Sequence, residues 1–367
     1  MRAHGAPGET GWVARLMVIV LRTTDDVLRW SGGLVGPPLR AAIDRLPEPS
    51  REVAELQLGW HSGRDAPGAS LRSALTLVCA AAVGGDPHDA VPSAVAVELM
   101  HHWAAIRRDL VDGRSDGAAW SVVGTQPAAL GGEALLALAF DVVATGDPTH
   151  IAPGRLRQRS GQPGPDRVMM RILGDTVQEL LHGQHASLAL RETRPDSAAE
   201  ERTDLLRDCL AMVEQRTGAL FGCACALGAV AGGGEAAQVE RLRLFGVRLG
   251  LAVQFTEDLL GIWADDGPGR PAYPDLRRRR RSLPVAAAIA AGADELTGLF
   301  DGRGRLSDAD AERTAKTIEQ SGARDWCRRQ AEELLSQALL ALDLASPSPA
   351  SVAELVALAR RATTAPR

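Results

Sequence analysis

Apolar residues fall at helical spacing in a succession of long segments, and alternating runs of β-branched residues are scarce. Hydrophobic residues make up 45% of the 367 residues but aromatic residues only 4%, so Ala, Leu and Val supply most of the apolar surface. Segments rich in Ala, Leu, Arg and Glu dominate the chain, and these residue types favour helix. We therefore predict an all-α protein with one helical domain over residues 11–367, after a flexible tail at residues 1–10.

Turns rich in Gly and Pro at residues 60–70 and 84–92 separate the first predicted helices. Pro92 is well placed to begin the helix that follows the second turn. The predicted helices cover residues 11–46, 71–83, 93–112, 126–145, 168–190, 197–231, 235–264, 284–299, 307–319, 323–343 and 349–363.

The net charge argues against a nucleic-acid partner, and the lengths of the apolar runs argue against a transmembrane segment. The formal net charge of −5 produces no overall field that would attract nucleic acid. The apolar segment 128–144 is interrupted by Glu133 and Asp141, which favours a core helix over a transmembrane segment. We therefore expect a soluble protein.

The five cysteines are an odd number scattered over apolar helical segments. Two of them, in the CAC sequence at residues 223–225, are too closely spaced for a zinc knuckle. We expect small buried thiols in a reducing compartment, and hence a cytoplasmic protein.

Two aspartates three positions apart, Asp109 and Asp112, end the predicted helix 93–112. Residues at this spacing share one helix face, and a carboxylate pair there can bind a divalent cation. Arg108 precedes them directly, where a metal site would favour a further carboxylate. Alone, such a pair is typical of a solvated helix face, so its meaning depends on the rest of the chain.

A second acidic pair, Glu257 and Asp258, lies on the long predicted helix 235–264, with Gln254 one helical turn earlier. A Gly/Pro loop containing Arg270 follows, and then the segment DLRRRRRSLP from residue 275. This region resembles the second aspartate-rich region of the trans-polyprenyl synthetase (isoprenyl diphosphate synthase) family. Its actinobacterial members read QxxDDLLGIWGD, GKP and DLRxRKKSLP in this order.

Further segments resemble the same family in the same order. They are AVELMH (96–101), residues 120–140, GQHASL (183–188) and RTGALFGCACALGA (216–229). The resemblance extends over about residues 40–345. LPEPS (46–50) and the basic DLRRRRRSLP segment also resemble polyprenyl transferases found as encapsulin cargo, which suggests an encapsulin shell as a partner.

The resemblance implies the isoprenoid synthase fold (class I terpenoid synthase), an antiparallel helical bundle with two acidic motifs facing each other across a deep cavity. Three Mg²⁺ ions there hold an allylic diphosphate, whose departure leaves an allylic cation. Isopentenyl diphosphate (IPP) attacks that cation from a second site. A homodimer, or a heteromer with a homologue, is also implied.

Roles follow for the residues that match the family motifs. The implied Mg²⁺ ligands are Asp109, Asp112, Glu257 and Asp258, of which Asp109, Asp112 and Asp258 are catalytic. The implied diphosphate-binding residues are Arg108, Arg114, Arg216, Thr217, Gln254 and Arg270. Arg72 and His101 remain of the IPP site, and Trp103 and Ala104 border the pocket that sets chain length.

Two departures from the family pattern change these expectations. Arg108 replaces the first carboxylate of DDxxD, and unit charges ~4 Å apart at an effective dielectric of ~20 interact by about 4 kcal/mol. This predicts fewer than three Mg²⁺ ions, although a guanidinium can itself bind phosphate oxygens. In the IPP site, Ala69 stands where the family has lysine, and only Arg114 remains near the position of an Arg-Arg pair. We therefore expect very weak IPP binding.

Three functions stay open at this level. The chain is a prenyltransferase that binds an allylic diphosphate with Mg²⁺ and has an impaired IPP site, or a terpene-cyclase-like enzyme that needs no IPP, or a non-catalytic partner of an active prenyltransferase. The scarcity of aromatic residues counts against the cyclase, because cyclases commonly line their cavity with rings that stabilise cations.

Overall fold

A computed structural model describes residues 22–60, 70–113, 118–149, 165–192, 199–263, 272–300 and 304–364. Within these ranges all regular secondary structure is helical, which confirms the all-α prediction. The α-helices are α1 (Thr24–Ile43), α2 (Glu48–Leu58), α3 (Leu71–Ala82), α4 (Val91–Asp112), α5 (Trp120–Val123), α6 (Thr125–Thr145), α7 (Pro165–Glu192), α8 (Ala199–Val213), α9 (Ala219–Ala231), α10 (Ala236–Trp263), α11 (Pro274–Arg277), α12 (Leu283–Ala290), α13 (Asp308–Gln320), α14 (Ala323–Leu344) and α15 (Pro349–Ala362). The tail at residues 1–10, Ala69, Arg114 and Arg270 lie outside the described residues, and the domain limits stay predictions.

Side-chain caps and glycines set several helix ends. Thr23 and Asp26 form a capping box at the start of α1, in which the Asp26 N–H donates to Thr23 Oγ1 at 3.2 Å. Ser70 caps α3 by accepting from the Ser73 N–H at 3.1 Å. Gly113 ends α4 with a left-handed φ of 61°. This stop places Asp109 and Asp112 in the last turn of α4.

Helix α10 lies at the centre of the bundle. It packs along α9 on one side and α14 on another, while α9 also packs against α3, α4 and α7. Helix α4 packs mainly against α6. Large side chains such as Trp103 of α4, Phe245 and Phe255 of α10 are almost fully buried in this core. The two helices that carry the acidic pairs are therefore both held by α9.

Three helix predictions differ from the structure. The helix predicted over 197–231 contains a π-helical turn at Glu214–Gly218 between α8 and α9. The helix predicted over 284–299 ends at Ala290, because Gly292 has a φ of 98° that stops it, and two 3₁₀ turns follow. Helix α2 was not predicted: the first helix ends shortly before the LPEPS sequence, as predicted, but a second helix begins within that sequence.

The predicted core helix 128–144 lies within α6. Among the described helices, α6 alone is long and apolar enough to cross a membrane by length and composition, and 44% of its most apolar window is buried. Its buried face packs against α4 and α2. Leu130, by contrast, is 69% exposed. One face of α6 thus belongs to the core, and Leu130 lies on the exposed side.

The five cysteines are free and buried, as the sequence predicts. Burial raises the pKa of the Cys209 and Cys223 thiols to about 12. These side chains therefore act as small apolar residues in the core.

Candidate functional site

A cavity of about 1070 Å³ opens between α4, α7, α8, α9, α10 and the segment before α12. Asp109 and Asp112 line it from α4, and Glu257 and Asp258 line it from α10. The two acidic pairs are separated by more than 140 residues in the chain. The structure therefore brings both predicted motifs to one cavity, large enough for a substantial ligand.

The α4 wall combines acids and arginines. Arg107 lines the cavity and also reaches α6, where its Nη1 donates to Glu133 Oε1 at 2.8 Å. Arg108 stays at the cavity, with its Nε 3.8 Å from Asp109 Oδ1. The cation that replaces a carboxylate in the motif thus lies directly beside the remaining acids.

On the α10 wall, Asp258 is 2% exposed and bound on both carboxylate oxygens. Its Oδ1 accepts from Gln254 Nε2 at 2.8 Å and lies 3.1 Å from Arg280 Nη2. Its Oδ2 accepts from the Leu283 backbone N–H at 2.9 Å. Gln254 is oriented in turn by the Thr217 hydroxyl, which donates to Gln254 Oε1 at 2.7 Å. Both carboxylate oxygens of Asp258 therefore already contact donors of the protein itself.

Arg280 joins Asp258 to a third acid, Asp275 of α11. Its Nη1 donates to Asp275 Oδ2 at 2.8 Å. A Cβ atom at Gly261 would lie 2.2 Å from the same Oδ2, so only glycine at this position leaves room for the Asp275 carboxylate. The nearby charges of Asp258 and Asp275 raise the pKa of Arg280. The guanidinium is consequently charged and fixed at the cavity wall.

Glu257 lies beside Asp258 and is exposed to the cavity. The surrounding protein and the Asp258 charge raise the pKa of Glu257, while the guanidinium groups of Arg280, Arg72 and Arg108 oppose that rise. Arg108 belongs to α4 and Arg72 to α3, so charges from three helices act on this one carboxylate.

Arg216 and Thr217 lie in the π-helical turn between α8 and α9, a feature that is frequent at functional sites. Both residues line the cavity. Arg216 Nη1 is 3.5 Å from Ser187 Oγ of α7. Gly183, in the GQHASL segment, makes room for the arginine, since a Cβ atom there would lie 2.6 Å from Arg216 Cγ. The close packing of α7 against the π-helical turn therefore positions the Arg216 guanidinium.

The predicted IPP residues Arg72 and His101 line the cavity as well. Burial holds the pKa of His101 well below its usual value, and the positive charges of Arg72, His102 and Arg108 lower it further. His101 is therefore neutral at pH 7. Of the two, Arg72 alone supplies positive charge for a second diphosphate.

Trp103 and Ala104, the predicted chain-length residues, line the cavity too. Trp103 is 2% exposed and lies against Gly132 of α6, whose Cβ position is 3.7 Å from Trp103 Cδ1. The indole therefore packs in the core and borders the cavity at the same time.

Arginines dominate the cavity lining in the described part of the chain. Nine of them line it against four acids: Arg72, Arg107, Arg108, Arg216, Arg278, Arg279, Arg280, Arg281 and Arg305. No role for Arg280 or Asp275 was predicted from the sequence. The available signal was Gly261, the glycine of the DDLLG form of the second motif, which leaves space for Asp275.

Comparisons with known proteins agree with this geometry. A model of the family described as polyprenyl synthetase matches residues 60–318. The chain is 34% identical over 335 residues to (2E,6E)-farnesyl diphosphate synthase of Mycobacterium tuberculosis, covering 87% of each chain. It is 34% identical over 339 residues to geranylgeranyl diphosphate synthase of the same organism, covering 89% of this chain and 91% of the relative.

A solved structure, that of a polyprenyl synthetase from Streptomyces coelicolor A3(2), superposes with a TM-score of 0.80 at 32% identity. The superposition covers 93% of this chain and 100% of that one. The predicted isoprenoid synthase fold is therefore confirmed. By family model, sequence identity and fold together, the chain belongs to the polyprenyl synthetase family.

Proposed function

We propose that this protein is a prenyltransferase-type enzyme that binds an allylic prenyl diphosphate in the arginine-rich cavity and ionises it. The observation that carries the proposal is the convergence of both acidic pairs and Arg216 on one cavity. Relatives with 34% identity act as farnesyl and geranylgeranyl diphosphate synthases. A cavity lined by both arginines and apolar side chains suits a ligand with a diphosphate head and a hydrocarbon tail.

In the proposed reaction, the allylic C–O bond breaks and its electron pair leaves with the diphosphate. Arg216 is placed to bind the departing oxygens by charge-assisted hydrogen bonds. The apolar side chains of Leu180, Leu220 and Phe221 in the cavity wall exclude water from the allylic cation. The IPP double bond then attacks the cation, a C–C bond forms, and the resulting cation loses one proton to the departed diphosphate.

The family implies Mg²⁺, and the carboxylates of Asp109, Asp112 and Glu257 that line the cavity fit it. Asp109 and Asp112 share a helix face, and Mg²⁺ sites commonly use one or two carboxylates together with substrate phosphates. Asp258 fits poorly, because both of its oxygens are already bound. No group of three His, Cys, Asp or Glu residues in the described ranges could hold an ion alone. When bound, Mg²⁺ would neutralise charge on the leaving diphosphate.

The proposal includes weak use of IPP. His101 is neutral, so Arg72 carries the positive charge of the predicted second site among the described residues. A non-catalytic partner of an active homologue remains the second candidate, and the occupied carboxylate of Asp258 favours it. A cyclase-like enzyme is favoured by no specific contact.

Incubation of the purified protein with geranyl, farnesyl or geranylgeranyl diphosphate and Mg²⁺, with and without IPP, tests this proposal. We expect pyrophosphate release and longer diphosphates only when IPP is added in excess. Hydrocarbons or alcohols without IPP would identify a cyclase-like enzyme. No turnover, together with stimulation of a co-expressed homologue, would identify the non-catalytic partner.

The exposed face of α6 suits a homodimer or a heteromer with a homologue. Leu130 is 69% exposed there, and Val122 of the adjoining α5 is 68% exposed. Sedimentation of the wild type and of a Leu130→Asp variant tests this, with a shift toward monomer expected in the variant. A cytoplasmic location, and an encapsulin shell around the protein, stay predictions.

A further inference from the structure

The α4 wall of the cavity is one side chain thick where α4 packs against α6. Trp103 and Arg107 of α4 line the cavity, whereas no residue of α6, which the structure describes over its whole length, does so. Behind Trp103 lies Gly132, whose ideal Cβ position is 3.7 Å from Trp103 Cδ1. Behind Arg107 lies Glu133, whose Oε1 accepts from Arg107 Nη1 at 2.8 Å. A ligand that extends toward α6 therefore meets these two side chains of α4 first.

Two neighbouring glycines bring α6 close to the helices on both of its sides. A Cβ atom at Gly131 would lie 2.6 Å from the Val53 side chain of α2, and one at Gly132 would lie 3.5 Å from Ile106 Cγ2 of α4. The next residue along α6 is Glu133. The close approach of the helices thus holds the Glu133 carboxylate within reach of Arg107.

The guanidinium of Arg107 is held on two sides. Glu133 binds it from α6, and its Cζ is 3.9–6 Å-range cation–π distance from Trp103, at 5.7 Å from the ring centre. The Arg107 side chain is 38% exposed and the Glu133 side chain is 52% exposed. An ion pair with this exposure contributes little to the stability of a fold. The pair can therefore be removed while the bundle stays folded.

We infer that the Arg107–Glu133 ion pair closes the cavity toward α6 and so limits the length of the hydrocarbon tail that the cavity accepts. The inference rests on the proposed function, because it concerns the tail of the same diphosphate ligand. The pair fills the space between α4 and α6, and hydrocarbon placed against the two charges would strip them of water at a cost in free energy. Glu133 lines no part of the cavity, so it is a positioning residue that acts through Arg107.

Binding of unreactive ligands tests the inference without relying on turnover. The thiolo analogues of geranyl and geranylgeranyl diphosphate share one head group and differ only in the length of the tail. Calorimetry in Mg²⁺ gives a dissociation constant for each analogue. The ratio of the geranylgeranyl value to the geranyl value cancels any change in binding of the head group. We expect this ratio to fall at least fivefold in Arg107→Ala.

Further variants separate the ion pair from other effects of the substitution. Glu133→Ala releases the guanidinium, and the ratio should fall at least twofold. The double variant should show no larger decrease than Arg107→Ala, because both changes remove the same contact. Arg107→Lys keeps a charge that can pair with Glu133, and it should keep the wild-type ratio. The matched control is Arg45→Ala, which breaks the ion pair of α6 with Asp141 away from the cavity lining and should leave the ratio unchanged.

Each outcome has a distinct meaning. An unchanged ratio in Arg107→Ala and Glu133→Ala, or an equal decrease in Arg45→Ala, would overturn the inference and leave the proposed function intact. If the folded wild type binds neither analogue, the proposed function itself fails. If Arg107→Ala does not fold, Glu133→Ala decides, and a constant ratio in that variant overturns the inference.

Discussion

The carboxylate of Asp275 occupies the space that a side chain at Gly261 would fill, with its Oδ2 2.2 Å from the ideal Cβ position. The two residues lie on different helices, α10 and α11. This close approach joins the acidic end of α10 to the basic segment that follows α11. It also explains the glycine at the end of the second acidic motif, because the Asp275 carboxylate fills the space beside it.

Gly261→Ala should destabilise the protein, because the added methyl group overlaps the Asp275 carboxylate. Overpacking of this kind costs about 1–3 kcal/mol, and urea unfolding measures it. Gly174→Ala in α7 is the matched control: nothing lies within 4 Å of its Cβ position. There the substitution should be neutral or stabilise by about 0.5–1 kcal/mol, as Gly→Ala does within helices. Equal effects at both positions would contradict the contact between Gly261 and Asp275.

Arg108→Asp should lower the Mg²⁺ concentration needed for half-maximal pyrophosphate release at least tenfold. The reason is the 3.8 Å separation between Arg108 Nε and Asp109 Oδ1, which places a positive charge beside the proposed metal ligands. Steady-state rates at a series of Mg²⁺ concentrations measure this change, and Arg108→Ala should give an intermediate value. A higher requirement for Mg²⁺ in Arg108→Asp would show that Arg108 binds the diphosphate instead.

Trp103→Ala should shift substrate preference toward longer allylic diphosphates. The indole is 2% exposed and borders the cavity, so its removal deepens the pocket. We expect the ratio of kcat/KM for geranylgeranyl diphosphate to that for geranyl diphosphate to rise at least tenfold. Because Trp→Ala in a core costs about 3–5 kcal/mol of stability, Trp103→Leu is a milder second variant. If the ratio stays constant in both, Trp103 serves packing alone.

Stability should fall as the pH drops from about 6.5 to about 4. Burial lowers the pKa of His102 to about 4, with Glu98 opposing the shift and Arg72 adding to it. The unfolded chain therefore binds a proton below pH 6.5 that the folded chain does not bind. His102 contributes stability that is present above pH 6.5 and lost as the pH falls to about 4.

A shift from 6.5 to about 4 corresponds to a loss on the order of 3 kcal/mol. Urea unfolding at a series of pH values measures it. His102→Phe keeps the ring and removes the titrating group, so the loss should shrink. His88→Gln is the control, because the His88 side chain is 67% exposed beside Asp86. A pH dependence that His102→Phe leaves unchanged would assign it to other groups.

The sequence predicts those parts of the molecule that depend on local pattern. Helical spacing of apolar residues predicts α4, α6 and α10 to within a few residues, and the two acidic pairs lie on the predicted helices. Both pairs converge on one cavity, as the family resemblance implies. The roles of the individual residues stay predictions.

The rest depends on contacts between distant segments. The pairing of Arg280 with Asp258 and Asp275 requires α10 and α11 to approach each other, and spacing along the chain does not encode that approach. The π-helical turn at Glu214–Gly218 was missed for a similar reason, because the flanking residues all favour an ordinary helix. The neutral state of His101 follows from burial and from nearby arginines on two helices.

The wide turn at Glu214–Gly218 contains one residue more than an ordinary helical turn would need. It lets α8 and α9 continue as one rod while Arg216 and Thr217 are pushed out of the regular helical register toward the cavity. Deleting a single residue from this turn would let the rod become regular and keep both flanking helices in place. Such a shortened chain would retain the helical bundle, but the Arg216 guanidinium would no longer reach the ligand. The deletion would therefore impair ligand binding without preventing folding.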